Sequence, residues 1–325
     1  MKEKVLAFLK GQDQYVSGEE ISSKLGVTRA GVWKNINKLK EDGYHIESIT
    51  KRGYRLIATP DVITQSEIAS IINTKLLGKD IHYYEKVDST NEVAKTLARE
   101  GAAEGTLIMA DKQLMGKGRL GKTWDSPSGT GIWMSLILRP HIIPGQASQL
   151  TLLAGLNMCE AIRRVTGLDC KIKWPNDIVI NGKKVCGILA EMSAEMDGIN
   201  HIILGIGVNV NIKSFEGELP HATSLYLESG KTYLRRYIVK EFLHLFEADY
   251  MHYKDEKSIA GFLKRYRKNC ITLHHDIQVV TSEGKYIAYA KDIAEDGALV
   301  VIDSDNNEKT IFSGEVSVRG IYGYI

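Results

Sequence analysis

The sequence has few of the features that mark secreted, membrane and metal-binding proteins. It holds 4 cysteines in 325 residues, with no CxxC pair and no metal-like cluster among them. Free thiols in a reducing compartment are the expectation for such cysteines. No apolar run is long enough to span a bilayer, and the N-terminus lacks the apolar core of a signal peptide. We therefore expect a cytoplasmic protein with no membrane partner and no metal-ligand set of its own.

The chain also lacks the common nucleotide-binding and nucleophile motifs. Its most glycine-rich stretch fits neither the GxxxxGK[ST] spacing nor GxGxxG. No Ser/His/Asp or Cys/His arrangement for nucleophilic catalysis is visible. These absences argue against a P-loop or Rossmann nucleotide site and give no sign of a covalent enzyme intermediate.

Net charge is only +2, but it is unevenly distributed along the chain. Residues 1–60 carry 11 Lys and Arg against 7 Asp and Glu, so the remainder is slightly acidic. A length of 325 residues suggests two or three domains. A basic N-terminal module on a near-neutral body indicates a nucleic-acid partner for that module alone.

Residues 1–60 have the pattern of a winged helix-turn-helix domain. A short helix is expected at the N-terminus, and Ser17 begins a second one. Gly26 ends that helix in a tight turn, after which Thr28 begins a third. Two strands then flank the basic tip Thr50–Gly53. Two helices joined by a tight turn and followed by a basic hairpin are typical of DNA-binding domains.

The third helix is expected to enter the major groove, and the hairpin tip is expected to contact phosphate. The predicted DNA contacts are Ser22, Thr28, Arg29, Ala30, Trp33, Lys34, Asn37, Lys51 and Arg52. A helical protein-interaction module with a solvated basic face is the alternative interpretation. The helix spacing, the hairpin and the charge bias together favour DNA.

Residues 61–270 alternate helical and strand patterns, which predicts an α+β domain with a mixed sheet. The strand Ile81–Val87 runs into the polar turn Asp88–Asn91 at the start of a helix. Such a turn presents hydroxyls, amides and the positive end of the helix dipole to a ligand, although ordinary helix capping explains the same residues. Residues 271–325 change to short strands, which predicts a five-stranded SH3-like barrel.

Two motifs carry the functional argument. In residues 116–124, GKGRLGKTW, three glycines alternate with three cations and a tryptophan closes the run. Glycine permits close backbone approach, and Lys and Arg suit phosphate or carboxylate oxygens, although a basic surface loop has the same composition. The loop extends to Gly131, a length that favours a lid or binding loop. The second motif, KWPND at residues 173–177, sets a Trp-Pro pair between a cation and a carboxylate.

Together these motifs resemble those of the biotin protein ligases. The N-terminal module makes the chain similar to the bifunctional ligases that also act as biotin-sensing repressors. KWPND is the specific part of the match. The family's loop usually reads GRGRxGRxW, whereas Lys117 and Lys122 stand here where arginine is common. Lysine keeps the charge and loses the bidentate guanidinium.

The resemblance implies a class II synthetase-like central domain that converts biotin and ATP, with Mg²⁺, to biotinyl-5′-AMP. Transfer to a lysine of a biotin carboxyl carrier protein would follow, and a homodimer holding the adenylate would bind operator DNA. The implied catalytic residues are Lys117, Arg119 and Lys184. The implied biotin contacts are Ser89, Thr90, Asn91, Gln113, Gly116, Lys117, Gly118, Arg119, Lys184 and Gly187. The implied nucleotide contacts are Arg119, Lys122, Trp124, Asp177, Asn209 and Arg319.

Within that set, Trp124 is expected to stack on adenine, and Lys184 to hold the carboxylate and the bridging region of the adenylate. A structural ion pair with Lys173 is the alternative role for Asp177. Two other functions stay open: a lipoate ligase or octanoyl transferase, and a ligand-sensing transcription factor without turnover. The combination of KWPND with the glycine-rich loop disfavours the first, and Lys184 together with Arg119 disfavours the second.

Overall fold

The structure, a computed structural model, describes residues 1–195, 198–215, 219–281, 284–312 and 317–320, with backbone only at 194–195 and 317–320. It divides into two compact units, Met1–Val62 and Ile63–Ile325. Each unit has its own buried core, and each is described separately below.

The N-terminal unit consists of three helices and a β-hairpin. Its elements are α1 (Lys2–Lys10), α2 (Gly18–Leu25), α3 (Arg29–Glu41), β1 (His45–Ile49) and β2 (Gly53–Ala58). Ser17 caps α2 by accepting a hydrogen bond from the Glu20 N–H at 3.1 Å. Gly26 then takes the left-handed φ of 64° that ends the helix. Thr28 caps α3 in the same way through the Gly31 N–H. The predicted helix-turn-helix and hairpin are therefore present.

One face of each of these helices is apolar, and the three faces meet in a single core. Val5, Ile21, Val32 and Ile36 are at most 1% exposed. The segment before α2 pairs with the hairpin, because the backbones of Val16 and Tyr54 exchange two hydrogen bonds of 2.9 Å. This pairing fixes the hairpin against the helices.

The second unit is built on a seven-stranded mixed sheet. Its strands are β3 (Ile81–Val87), β4 (Leu107–Gln113), β5 (Gly131–Leu138), β6 (Lys171–Lys173), β7 (Asp177–Ile180), β8 (Lys183–Glu195) and β9 (Gly198–Asn209). The strand order is β3-β4-β5-β9-β8-β7-β6, with β3 and β4 parallel and the other pairs antiparallel. Asn181 and Gly182 both take positive φ in the β7–β8 turn, as an Asn-Gly hairpin requires.

Helices cover both faces of this sheet. They are α4 (Gln65–Ala69), α5 (Thr90–Arg99), α6 (Ala147–Thr166), α7 (Leu225–Ser229), α8 (Arg235–Glu256) and α9 (Leu263–Asn269). Alternation along β4 shows the two faces: Ile108 packs with α5, whereas Leu107 and Met109 belong to the larger core that contains α6 and α8. None of the helices in the described part of the chain has the length and apolar character that crossing a bilayer requires.

Helix α4 is shorter than its apolar spacing suggests. Ile68, Ile72 and Leu76 predict a helix that continues to about residue 77, but α4 ends at Ala69. The carboxylate of Glu247 on α8 accepts hydrogen bonds from the backbone N–H groups of Lys75, Leu76 and Leu77, at 2.6, 2.7 and 2.8 Å. This distant carboxylate satisfies the donors in a non-helical turn.

The C-terminal strands form a five-stranded antiparallel sheet in the order β13-β12-β11-β10-β14. They are β10 (Asp276–Val280), β11 (Lys285–Ile293), β12 (Leu299–Asp303), β13 (Glu308–Ile311) and β14 (Ser317–Gly320). The predicted small antiparallel sheet is present, and its closure into an SH3-like barrel stays a prediction. The start of the predicted strand Val316–Val318 lies outside the described residues. The buried Trp174 indole donates to Gly297 O at 3.0 Å and so joins the KWPND turn to this segment.

Candidate functional site

Two adjoining clefts open where the ends of β4, β8 and β9 meet α5 and the loop 116–131. The first has a cavity volume of about 50 Å³ and has uncharged polar groups at its inner end, from Ser89, Thr90, Asn91 and Gln113. The second is larger and combines apolar side chains such as Leu120 and Leu219 with charged and polar groups, among them Lys122, Lys173, Asp177 and Asn209. The residues that line both clefts are Gly118, Arg119, Trp124, Asn176 and Lys184.

The inner end of the first cleft is a continuous hydrogen-bond network. The backbone N–H and the hydroxyl of Thr90 both donate to Gln113 Oε1, at 2.8 and 3.1 Å. Gln113 Nε2 in turn donates to Ser126 Oγ at 2.8 Å. The Ser135 hydroxyl donates to Asn91 Oδ1 at 2.6 Å. These contacts hold the donors and acceptors of the cleft in fixed directions.

Helix capping does not account for the polar residues at the start of α5. Ser89 is the N-cap, yet within the described residues its side chain makes no capping hydrogen bond. Thr90 and Asn91 are 3% and 4% exposed and contact the side chains described above. The turn therefore presents polar groups to the cleft, as the ligand-binding interpretation requires.

The glycines that face the clefts are in contact with side chains of this chain. A Cβ atom at Gly205 would lie 2.2 Å from Asn91 Oδ1, and one at Gly207 would lie 2.5 Å from Trp124 Nε1. Gly187, paired with Gly207 across β8 and β9, would bring a Cβ within 3.0 Å of the same indole. Larger residues would displace Asn91 or Trp124.

The Lys184 ammonium lies at the wall between the clefts. Its Nζ is 2.6 Å from Asp177 Oδ1 and 5.1 Å from the centre of the Trp124 ring. Lys184 and Asp177 are 25% and 13% exposed, so the pair is largely shielded from water. The ion pair of Asp177 with Lys173, its register partner across β6 and β7, stays a prediction. A cation over an aromatic face and beside a carboxylate is held in one position.

Arg119 joins the glycine-rich loop to the KWPND turn. Its guanidinium donates to Asn176 Oδ1 at 2.9 Å. Asn176 is itself fixed to β8, because its Nδ2 donates to Ile188 O at 3.1 Å and its carbonyl accepts from Ile188 N–H at 2.9 Å. Burial lowers the pKa of Arg119, and the charge of Asp177 opposes that change. Arginine remains a cation at neutral pH under either influence.

Lys117 is engaged by the helix that carries Thr90 and Asn91. Its Nζ lies 2.7 Å from Glu92 Oε1, and Lys95 approaches the same oxygen at 2.8 Å. Hydrogen bonds from Lys117 and Lys95 lower the pKa of Glu92 to about 2. The loop is thus attached at Lys117 as well as at Arg119. The implied contact of Lys117 with a ligand carboxylate stays a prediction.

The remaining predicted positions differ in how closely they approach the clefts. A Cβ atom at Gly116 would lie 2.3 Å from Trp124 O, so only glycine fits there. Lys122 is exposed on the wall of the second cleft. Asn209 is 4% exposed, and its Nδ2 donates to Thr223 O at 3.0 Å. The side chain of Arg319 lies outside the described residues.

Several residues in this network have no signal in the sequence. Glu92, Ser126, Ser135 and Glu191 all contact residues that the sequence predicts for the site. Most of these contacts join segments that are far apart in the chain. The spacing of Glu92 and Lys95 on α5 is the only local pattern among the described contacts, and it matches an ordinary helix-surface pair.

In the N-terminal unit most of the predicted DNA contacts are exposed. On α3, Arg29, Ala30 and Lys34 are exposed, and Trp33 is 61% exposed. Lys51 and Arg52 are exposed at the hairpin tip, whereas Asn37 is half-buried. Two residues have local roles: the Ser22 hydroxyl donates to Val27 O across the turn, and Thr28 caps α3.

Comparison with known proteins finds a matching family for the unit that carries the clefts and another for the N-terminal unit. The Biotin/lipoate A/B protein ligase family matches residues 83–209, and an HTH domain family matches residues 2–55. The bifunctional ligase/repressor BirA of Bacillus spizizenii is 38% identical over 98% of both chains. This chain belongs to the bifunctional ligase/repressor family. The resemblance inferred from the two motifs is confirmed.

Other members of the biotin ligase group show how far the similarity extends. The ligase/repressor BirA of Escherichia coli is 26% identical over 97% of this chain and 96% of that protein. A Paracoccus denitrificans protein named biotin–[acetyl-CoA-carboxylase] ligase is 34% identical over 54% of this chain and 74% of its own. The biotin protein ligase of Aquifex aeolicus, solved in complex with biotin and ATP, superposes with a TM-score of 0.65 at 32% identity, covering 74% of this chain and 99% of that one.

Proposed function

We propose that this chain activates biotin with ATP to biotinyl-5′-AMP and transfers the biotinyl group to a lysine of a biotin carboxyl carrier protein. One observation carries the proposal: a neutral polar cleft and a charged cleft share a wall made by Arg119, Trp124 and Lys184. The uncharged groups of Thr90 and Asn91 suit a ureido ring. The shared cations then stand where the ligand carboxylate would meet a nucleotide phosphate.

The first step joins two anions, so cations in a shielded site are its main requirement. A biotin carboxylate oxygen attacks the α-phosphorus of ATP, the phosphorus–oxygen bond to pyrophosphate breaks, and biotinyl-AMP forms. Lys184 and Arg119 would lower the repulsion between the two anions, since oriented charges in a water-poor site supply much of an enzyme's rate enhancement. Trp124, already against the backbone of Gly207, would give adenine an aromatic face.

The second step needs no nucleophile from the protein. An acceptor lysine amine attacks the acyl carbon of the adenylate, AMP leaves with the bond electrons, and the nitrogen loses a proton to give an amide. The mixed anhydride is already activated and is open to hydrolysis. The loop 116–131, attached through Lys117 and Arg119, would exclude water until the acceptor docks.

Mg²⁺ would arrive with the nucleotide. Among the described residues, no group of three His, Cys, Asp or Glu side chains is placed to hold a metal ion. Nucleotide-bound Mg²⁺ is typically held by phosphates, waters and one or two carboxylates. Asp177 is a carboxylate on the wall of the second cleft and fits that limited role. The ion would offset phosphate charge there.

Pyrophosphate release tests the enzymatic proposal. We expect release that depends on both biotin and ATP, followed by transfer of labelled biotin to a carrier domain. Lipoate in place of biotin should give at most a small fraction of the rate. Equal use of lipoate would favour a lipoate or octanoyl ligase, and biotin binding without pyrophosphate would favour a sensor without turnover. The clustering of Arg119 and Lys184 disfavours that sensor.

We further propose that the N-terminal unit binds operator DNA and that the adenylate acts as corepressor. The exposed face of α3, with Arg29 and Lys34, would enter the major groove, and the hairpin tip would contact phosphate. A homodimer that holds the adenylate would present two such helices to a palindromic site. When acceptor is scarce, the adenylate persists and repression follows.

Deleting residues 1–60 separates these activities. We expect the shortened chain to lose sequence-specific DNA retention, because α3 and the hairpin are removed. Pyrophosphate release should stay within about threefold of the parent, since both clefts belong to the compact unit Ile63–Ile325. Gel retardation and a pyrophosphate assay on the same preparations measure this. Loss of both activities in a folded chain would argue against separate modules.

Gly205→Ala should abolish tight biotin binding. The new Cβ would lie 2.2 Å from Asn91 Oδ1, so Asn91 must leave Ser135 and its place in the cleft. Loss of two or more hydrogen bonds in a buried site corresponds to about 100-fold or more in Kd. Calorimetry with biotin measures it. In the control Gly155→Ala on α6, the Cβ meets nothing closer than 3.9 Å, and biotin binding should be unchanged.

A further inference from the structure

Asn91 is held from three directions at the inner end of the first cleft. Its Nδ2 donates to Glu191 Oε2 at 2.7 Å, and its Oδ1 accepts from the Ser135 hydroxyl at 2.6 Å. The backbone of Gly205 lies against the same amide. Each end of the amide retains one further hydrogen-bonding valence, an N–H at Nδ2 and a lone pair at Oδ1. These are the groups with which Asn91 can meet a ligand.

The direction of this amide is set by hydrogen bonding. The oxygen and nitrogen ends of an asparagine have nearly the same shape, so packing against Gly205 fits either orientation. The Ser135 hydroxyl can donate or accept, so it accommodates both orientations as well. An ionised carboxylate only accepts, and Glu191 therefore admits only the nitrogen end.

Lys95 keeps Glu191 in that role. Its Nζ lies 2.7 Å from Glu191 Oε1, the oxygen that does not contact Asn91. The two side chains are 22% and 28% exposed. The ion pair occupies Oε1 and leaves Oε2 directed to Asn91.

We propose that Glu191 is a positioning residue that fixes the donor–acceptor direction of Asn91 and thereby the selectivity of the cleft for a neutral ureido ring. The proposal rests on the proposed function and assigns a determinant of its substrate class. Glu191 lies on β8 and acts only through Asn91. A ring that presents a donor where biotin presents an acceptor should bind poorly, because Asn91 is held in one direction and cannot pair with it.

Glu92, which shares the partner Lys95 with Glu191, supplies a matched control. Lys95 also contacts Glu92, which pairs with Lys117 of the loop. Glu92 is 44% exposed and its carboxylate accepts hydrogen bonds from the two lysines, whereas the Asn91 amide contacts Glu191 and Ser135. Glu92→Gln removes one carboxylate charge from Lys95 and leaves the Asn91 contacts in place.

Steady-state kinetics with biotin and 2-iminobiotin, in which C=NH replaces the ring C=O, test the proposal. Glutamine at position 191 can donate or accept, so Glu191→Gln should admit both directions of Asn91. We expect the KM for biotin to rise about tenfold or more, with kcat and the KM for ATP within about threefold. The preference for biotin over 2-iminobiotin should fall by a similar factor. Glu191→Asp should recover part of it.

The side-chain amide resonances of Asn91, in protein labelled with ¹⁵N-asparagine, give a readout that needs no turnover. In Glu191→Gln these resonances should shift or split, while those of Glu92→Gln should resemble the parent. Unchanged Asn91 resonances, or equal rises in the KM values for biotin and ATP, would overturn the proposal. A parent chain without biotin-dependent pyrophosphate release would contradict the proposed function instead, and the resonances would still decide the role of Glu191.

Discussion

Lys184→Ala should lower the rate of adenylate formation by about 100- to 1,000-fold, the range for removal of one group that stabilises developing charge. Lys184 stands between the two clefts, 2.6 Å from Asp177, where the proposed mechanism brings the carboxylate and the α-phosphate together. Biotin-dependent exchange of pyrophosphate into ATP measures the step directly.

Lys183→Ala is the matched control for that result. Lys183 precedes Lys184 on β8, is exposed and points to the other face of the strand. Its loss should leave exchange within about twofold, as is usual for a solvated surface charge. Thermal unfolding of both variants shows whether Asp177 destabilises the fold once Lys184 is gone. If Lys184→Ala were folded and exchanged pyrophosphate at the parental rate, Lys184 would have no part in the chemistry.

Arg119→Gly should release the adenylate from the site and label lysines indiscriminately. Arg119 attaches the loop to Asn176 at 2.9 Å, and Asn176 is fixed to β8 by two hydrogen bonds. A lost hydrogen bond to a charged group corresponds to about 10- to 100-fold in retention. Retention of labelled adenylate during rapid gel filtration, and biotinylation of an unrelated protein, measure the effect.

Leu120→Gly distinguishes two causes of adenylate leakage, loss of the Arg119 guanidinium and greater flexibility of the loop. Leu120 is the next residue, is 75% exposed and has a φ of 55°, so glycine fits its backbone without strain. This control frees the same part of the chain and keeps Arg119. It should retain adenylate nearly as well as the parent. Equal leakage from both variants would assign the effect to backbone freedom, and retention by Arg119→Gly would contradict the closing role of the loop.

The parts of this protein that sequence predicts are those with local causes. The caps Ser17 and Thr28, the left-handed Gly26 and the Asn181–Gly182 turn all act within a few residues, and each is present. The glycine-rich loop is also local, because a Cβ at Gly116 would meet Trp124 O only eight residues away. Such features follow from chain geometry before any tertiary contact forms.

The features that sequence misses have distant causes. The non-helical turn after α4 depends on Glu247, which takes the backbone donors of Lys75, Leu76 and Leu77 from 170 to 172 residues later in the chain. The contact of Asn91 with Glu191 spans 100 residues. From the sequence alone, Glu191 is therefore predicted to be an ordinary solvent-exposed residue of a strand.

A crystal structure of the chain with biotinyl-5′-AMP would test the central claim most directly. We expect the ureido ring among Thr90, Asn91 and Gln113, and the acyl-phosphate beside Lys184 and Arg119. The adenine should lie against Trp124, with residues 116–124 covering the compound. A structure in which the compound bound elsewhere, while residues 116–124 faced solvent, would contradict the account.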